Sequence, residues 1–262
     1  MKSVSQNQDY YSIFQQIQMQ RVSNGQTEFI LSDCQSAKKL LVILWPQLGD
    51  FDSLEYAWWL KRESQKLHDA GIVTRAIGIG DLASGQRFCE YTGFAETDLF
   101  VDPQAQIHSL LNLYRGLSLK IPNLSPTINA WLNLMLMCAG IGSPGTLAEV
   151  WRGYRGDRQA PQLLENDQII HIKPLPAIQG SFFNRAGGSG FQRPFELATL
   201  RLRNMNEVLR NWTTYVPDST YLTQRGATFL FNKQGNLLYE HKDQAILGFA
   251  ADMSYPLSFL YN

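Results

Sequence analysis

KLLVILWPQLGDFDSLEYAWWLKRESQKLHDA, residues 39–70, decides the fold. Leu40 to Trp45 is an unbroken apolar run, the pattern of a strand covered on both faces. Pro46 and Gly49 end it, and a helix with Asp52 or Ser53 as N-cap runs through Leu54, Trp58, Leu60 and Leu67 to Gly71. Trp58 and Trp59 are neighbours on it, so at most one of them faces the core fully. A strand, a tight turn and a helix N-terminus make a reactive corner, where free N–H groups and the helix dipole favour negative charge.

Downstream the alternation continues. Ile72 to Ile79 is a second parallel strand ending at Gly80-Asp81, and Ala83 to Tyr91 is a helix closed by Gly93. Asp98 to Val101 is a short strand, and Asp102-Pro103 opens a helix to Gly116. Upstream, residues 1–13 read as a loose N-terminus, Phe14 to Arg21 as extended, Asn24-Gly25 as a hairpin turn and Thr27 to Leu31 as its second strand. The βαβαβα order predicts a mostly parallel sheet between helices. It then stalls. Residues of about 117–221 read as a long, mostly helical insertion, with helices over Ser125 to Ala139, Thr146 to Tyr154 and Pro194 to Trp212, and a possible strand at Ile169 to Ile172. Two strands follow, Thr228 to Phe231 and Asn236 to Glu240, joined by Asn232-Lys-Gln-Gly235, and a closing helix over Ala250 to Tyr261. Residues 14–262 thus read as a single domain.

WPQLGDFDS resembles the peroxiredoxin loop Pro-x-x-x-Thr-x-x-Cys, with Pro46 on the proline, Asp50 on the threonine and Ser53 on the peroxidatic cysteine. It is also similar to the Gly-Cys-x-x-Cys loop of the peroxiredoxin-like AhpC/TSA-type branch, where Gly49 matches and Asp50 and Ser53 replace both cysteines. QRGATFLF resembles the family's Arg-Gly-x-Phe strand and puts Arg225 where peroxiredoxins orient peroxide. The resemblance covers residues 14–115 and 222–261, and the strand after a long insertion is similar to cyanobacterial and plastid members. It implies a thioredoxin-like, peroxiredoxin-type α/β fold: a mixed sheet flanked by helices, an N-terminal β-hairpin, and the insertion before the last two strands. It does not bring the family's chemistry, because a serine hydroxyl stays protonated near neutral pH and an aspartate at position 50 repels an anionic nucleophile.

Three functions follow from that corner. The first is a non-catalytic binding or interaction protein with a vestigial site at Pro46, Asp50, Ser53 and Arg225. The second is a thiol oxidoreductase working from Cys34, Cys89 or Cys138. The third is a small-ligand carrier using Asp50, Ser53 and Arg225, with Arg185 and Arg193 beside the glycine-rich Gly187-Gly188-Ser189-Gly190 as a second anion-binding candidate. The glycine stretch follows no strand and lacks the Lys-Ser/Thr ending of a phosphate loop, so it reads first as a flexible hinge, with Arg201 and Arg203 extending the arginines to a small basic patch. In the structural alternative, Asp50 pairs with Arg225 while Asp52 or Ser53 caps the helix.

The bulk properties narrow the field. Zero net charge argues against nucleic acid as a partner. Three scattered cysteines make neither a disulfide framework nor a zinc pattern, and His68, His108, His171 and His241 share no metal-ligand spacing. No metal or cofactor is therefore expected. The polar start MKSVSQNQDY carries no signal-peptide pattern, so a reducing cytoplasm is expected. The most apolar segment, residues 128–141, is too short for a transmembrane span. It reads as a buried or partner-facing helix, which leaves a protein partner or a homodimer open.

Overall fold

The structure, a computed structural model, describes residues 9–261. In chain order the first half runs α1 (Tyr10–Gln16), β1 (Gln18–Arg21), β2 (Thr27–Phe29), β3 (Lys39–Gln47), α2 (Phe51–Arg62), α3 (Ser64–Asp69), β4 (Ile72–Ile79), α4 (Leu82–Thr92), β5 (Leu99–Val101) and α5 (Gln106–Leu110). The second half runs α6 (Pro126–Cys138), α7 (Thr146–Arg155), β6 (Ile169–Ile170), β7 (Ile178–Gln179), α8 (Glu196–Arg210), α9 (Trp212–Tyr215), β8 (Ala227–Asn232) and β9 (Leu237–Lys242). Seven strands form one sheet in the order β2-β1-β5-β4-β3-β8-β9, while β6 and β7 pair separately. β3 pairs with β4 in parallel and with β8 antiparallel, Lys39 opposite Asn232 and Leu44 opposite Ala227. This is the mixed, helix-flanked sheet of a thioredoxin-like fold, with the N-terminal hairpin β1-β2 added beside β5.

The unbroken apolar run of β3 has a direct cause. Successive side chains on a strand point to opposite faces, and here both faces are cores. Leu41, Ile43 and Trp45 enter the larger core with Leu54, Ala57, Leu60 and Phe88 of the covering helices. Leu40, Val42 and Leu44 enter the other, with Phe14 of α1, Ile107 of α5, Phe229 and Phe231. The residues between β5 and β8 are not a cover laid over a finished domain. Leu164, Phe183, Leu197, Leu200, Val208 and Tyr215 are buried in the same larger core as Trp45. On α2, Trp59 is buried, while Trp58 is only partly so and stacks edge-on against it.

Several elements depart from the sequence reading. The expected loose N-terminus lies outside the described residues up to residue 8; from Tyr10 the chain is helical because Asp9 accepts the Ser12 N–H as an N-cap. The long helix expected to reach Gly71 breaks at Glu63 into α2 and α3, with neither Gly nor Pro marking the break. The helix expected over 103–116 shrinks to α5, bracketed by Ala105 and Asn112, both in left-handed backbone geometry. α8 starts at Glu196, not Pro194, because Phe195 is left-handed and the Glu196 carboxylate holds the preceding loop through the Arg193 and Leu164 N–H groups. The closing helix over Ala250 to Tyr261 is absent except for one 3₁₀ turn, Ser258–Leu260. Pro256 cannot donate within a helix, and Asp252 draws the Ser254 N–H into a local turn. The segment still covers the sheet, with Leu257 and Leu260 buried and Phe259 stacked on Tyr239 at 4.0 Å.

Gly226, at the start of β8, is fixed by space. A Cβ there would lie 2.1 Å from the Leu44 carbonyl oxygen, a backbone atom of the central strand that cannot yield. Gly226→Ala is therefore expected to destabilise the protein by about 1–3 kcal/mol, read as a lower denaturant midpoint at unchanged slope.

Candidate functional site

The corner between β3 and α2 is built from backbone outward. The turn closes with Leu48 N–H on the Ile79 carbonyl and Asp50 N–H on the Gln47 carbonyl, 3.0 and 2.8 Å. Gly49 is needed for packing, since a Cβ there would sit 2.8 Å from the Cβ of Tyr215 in α9. Pro46 lies in β3, its Cδ against Gly226.

Asp50, Asp52, Ser53 and Arg225 are each already occupied. Asp50, not Asp52 or Ser53, is the N-cap of α2: one carboxylate oxygen accepts the Asp52 N–H at 2.9 Å and the other the Arg225 Nη2 at 2.6 Å. Asp52 is fully buried and accepts the Leu247 N–H at 2.7 Å, with its second oxygen 3.4 Å from Arg225 Nη1. Ser53 is fully buried too, and its hydroxyl donates to the Gln47 carbonyl at 2.9 Å. Arg225 itself has no exposure; besides the two carboxylates it donates to the carbonyls of Thr223 and Leu222. The structure thus brings together Pro46, Asp50, Ser53 and Arg225, but as a closed lattice with no free donor on Arg225's Nη2 side.

Three carboxylates face this one guanidinium. Asp243, buried at the end of β9, accepts the Gly226 N–H at 3.1 Å, while its other oxygen has no hydrogen bond and lies 3.6 Å from His241 Nε2. Burial pushes the Asp243 carboxyl up to about 7, against the opposing pull of Arg225. Burial, reinforced by the neighbouring Asp50 charge, also raises Asp52 well above the ordinary carboxylate range. On the far side His108 is buried with Nε2 2.9 Å from the Trp45 carbonyl, and burial pushes it down to about 4.

The thiols are not activated. Burial raises Cys89 to about 12 and Cys138 to about 11, and raises Cys34 as well. All three are free and lie in three different apolar clusters. Most arginines of the second anion-binding candidate are engaged by other side chains. Arg193 is fully buried in an ion pair with Glu196 and bonds Asn166, Asn184 and the Leu164 carbonyl. Arg201 is taken by Glu55 and Glu149, Arg203 by the Tyr91 hydroxyl, and the exposed Arg185 lies over the Phe182 ring. Among the described residues no group of three or more His, Cys, Asp or Glu is arranged to hold a metal, and no helix is long and apolar enough to cross a membrane.

What the sequence reading missed is a cavity. A space of about 310 Å³ opens directly above the corner, between the Gln47–Phe51 turn and helices α6, α8 and α9. Its wall is apolar: Trp131, Leu134, Met135, Met205, Val208, Trp212 and their neighbours, with Trp131 and Trp212 stacked at 4.6 Å. Asp50, Gln47 and Cys138 are its polar lining, whereas Ser53 and Arg225 lie below it and do not reach it. No periodicity could have shown this, because the wall comes from segments more than 150 residues apart.

Comparison with known proteins adds one match. A family model described as AhpC/TSA antioxidant enzyme matches residues 59–245, well over half of the chain. The match begins just after the Pro46–Ser53 turn and takes in the insertion, Arg225 and Asp243. No curated protein matches the chain.

The pH dependence of the carboxylate cluster is testable. Asp243 keeps its proton to about pH 7 when folded but releases it near 3.8 when unfolded, so in that window the folded state binds more protons and loses stability as pH rises. His108 contributes the opposite slope between about 4 and 6.5, and comparison with a variant cancels it. Asp243→Asn is expected to gain stability over the wild type by up to about 1.4 kcal/mol per pH unit across pH 4–7, read from denaturant unfolding at several pH values.

Proposed function

The chain belongs to the AhpC/TSA antioxidant enzyme family, and we propose that it uses that family's thioredoxin-like scaffold as a non-catalytic binding protein. One observation carries this reading: the Arg225 guanidinium is bound by Asp50 and Asp52. An arginine that orients a peroxide needs donors to spare, and a peroxidatic thiolate needs a site that favours negative charge. Here the place beside the arginine is already filled by the carboxyl groups of Asp50 and Asp52. Position 53 holds a hydroxyl that donates to the Gln47 carbonyl.

The cavity supports the carrier form of this proposal over the thiol oxidoreductase form. A mostly apolar pocket of about 310 Å³ with a few polar groups is the usual shape of a small-molecule site. Cys138, the thiol lining it, is held protonated at neutral pH by burial. Free cysteines accord with a reducing, cytoplasmic setting. The exposed aromatic face of Trp151, Tyr154 and Phe195 supports a protein partner or a second copy as an additional ligand.

Hydrogen peroxide consumption by the purified protein with a dithiol donor tests the proposal. The expected rate is no greater than that of free cysteine at equal thiol concentration. A faster rate, abolished by alkylating Cys34, Cys89 and Cys138, contradicts it.

A further inference from the structure

Helix α8 is apolar on two sides. Leu197, Leu200 and Val208 face the larger core, while Leu202, Met205 and Leu209, at i, i+3 and i+7, form a second stripe that is exposed. A surface helix needs one apolar stripe to hold it on its core, and a second stripe asks for a second neighbour. Helix α6 makes the same demand. PTINAWLNLMLMC carries no charge over its 13 residues, yet Ile128 and Met135, which share a face, are exposed. On α7, Leu147, Trp151 and Tyr154 share an exposed face, with Trp151 59% exposed.

These stripes join into one surface. Met135, Met205 and Leu209 line the cavity above the corner. A second hollow of about 370 Å³ lies between α7 and α8, lined by Tyr154, Phe195, Leu202 and Met205. Phe51 and Met205 line both hollows, and the Tyr154 ring meets Trp151 and Phe195 edge-on, at 6.3 and 6.1 Å between centroids. The charged side chains in the two linings are Asp50 and Arg201, and both are held in ion pairs. With roughly half of each side chain exposed, the face offers on the order of 1,000 Å² of apolar surface. That exceeds the roughly 300–600 Å² of the largest patch on an ordinary monomer and meets the about 800 Å² per partner that a stable interface buries.

We propose that the α6–α7–α8 face is the interface of a homodimer, two copies meeting across a two-fold axis. Such a contact needs a surface that complements itself. This one sets exposed rings, Trp151 and Phe195, beside two hollows, so that a ring of one copy can enter a hollow of the other. Zero net charge puts no overall repulsion between the copies. A membrane surface fits the face less well, because α6, α7 and α8 carry no lysine and the neutral chain has no general attraction to anionic lipid. The proposal rests on the reading of the chain as a binding protein in its second-copy form, and it gives that form a surface.

Sedimentation velocity of the full chain over a concentration series tests this, with the wild type expected at twice the monomer mass. Trp151→Glu and Leu209→Glu, both at exposed positions, are each expected to raise the dimer dissociation constant about a hundredfold or more, because the two-fold axis counts every substitution twice. Their far-UV circular dichroism stays that of the wild type. Leu238→Glu, at an equally exposed apolar residue on the edge strand β9, leaves the dimer intact. A wild type that is monomeric at every concentration overturns the proposal, whether or not it binds vesicles of neutral lipid. A dimer that survives Trp151→Glu and Leu209→Glu, or that is lost in Leu238→Glu alone, overturns it too. If the Glu variants do not fold, oxidative footprinting of the wild type decides: Met135 and Met205 are expected to be shielded at high concentration relative to dilute protein, and equal oxidation contradicts the interface. Peroxide consumption on the same samples separates the two readings. A dimer with turnover overturns the non-catalytic function only, and a monomer without turnover overturns the interface only.

Discussion

A fully buried guanidinium organises this molecule. Arg225 sits at the start of β8 with no solvent contact and binds Asp50 at 2.6 Å and Asp52 at 3.4 Å. A charge taken out of water is costly unless it is paired and its donors are used. Here pairing also joins three parts of the chain. Asp50 caps α2, Asp52 holds the Leu247 N–H of the C-terminal segment, and the Arg225 N–H bonds the Tyr114 carbonyl where the insertion begins. Removing one member would leave a buried charge alone, a loss of about 3–5 kcal/mol. The excess of carboxylates has its own consequence. One guanidinium cannot balance Asp50, Asp52 and Asp243 together, so burial pushes Asp52 and Asp243 towards their protonated forms.

The same pairing underlies the cavity. Asp50 and Asp52 fill the space beside Arg225 at the corner. The insertion can then settle on it, and it does: Tyr215 of α9 lies against Gly49, and α6, α8 and α9 roof the turn with apolar side chains. The result is a mainly apolar pocket over a polar floor. The three cysteines are spread through separate apolar clusters, where burial suppresses ionisation.

Much of this was readable from residue order alone, and the reasons are physical. β3 was legible because two cores demand apolar residues on both faces, and the hairpins because Asn24-Gly25 and Asn232–Gly235 are strong turn chemistry. The Asp50–Arg225 pair was legible through the resemblance that set both residues in register. The helix starts and ends were less so. Asp50 capping α2, Phe195 delaying α8 and Pro256 preventing a closing helix each depend on where a side chain finds its partner. Arg193 read as a ligand contact because what buries it comes partly from far away, Asn166 and the Leu164 carbonyl almost thirty residues upstream, beside its near partner Glu196. Gln47, Asp243 and the cavity carried no local signal, since their significance arises only when residues 47, 131, 205 and 246 meet.

The central claim is that the Arg225–carboxylate pairing holds the corner between β3 and α2 closed, and a double-mutant cycle measures it most directly. Unfolding free energies of the wild type, Asp50→Asn, Arg225→Met and the double variant give the coupling between the two side chains. The account predicts a favourable coupling of about 2 kcal/mol or more. Additive effects, with a coupling near zero, would mean that the two groups do not depend on each other and that the corner is held shut by something else.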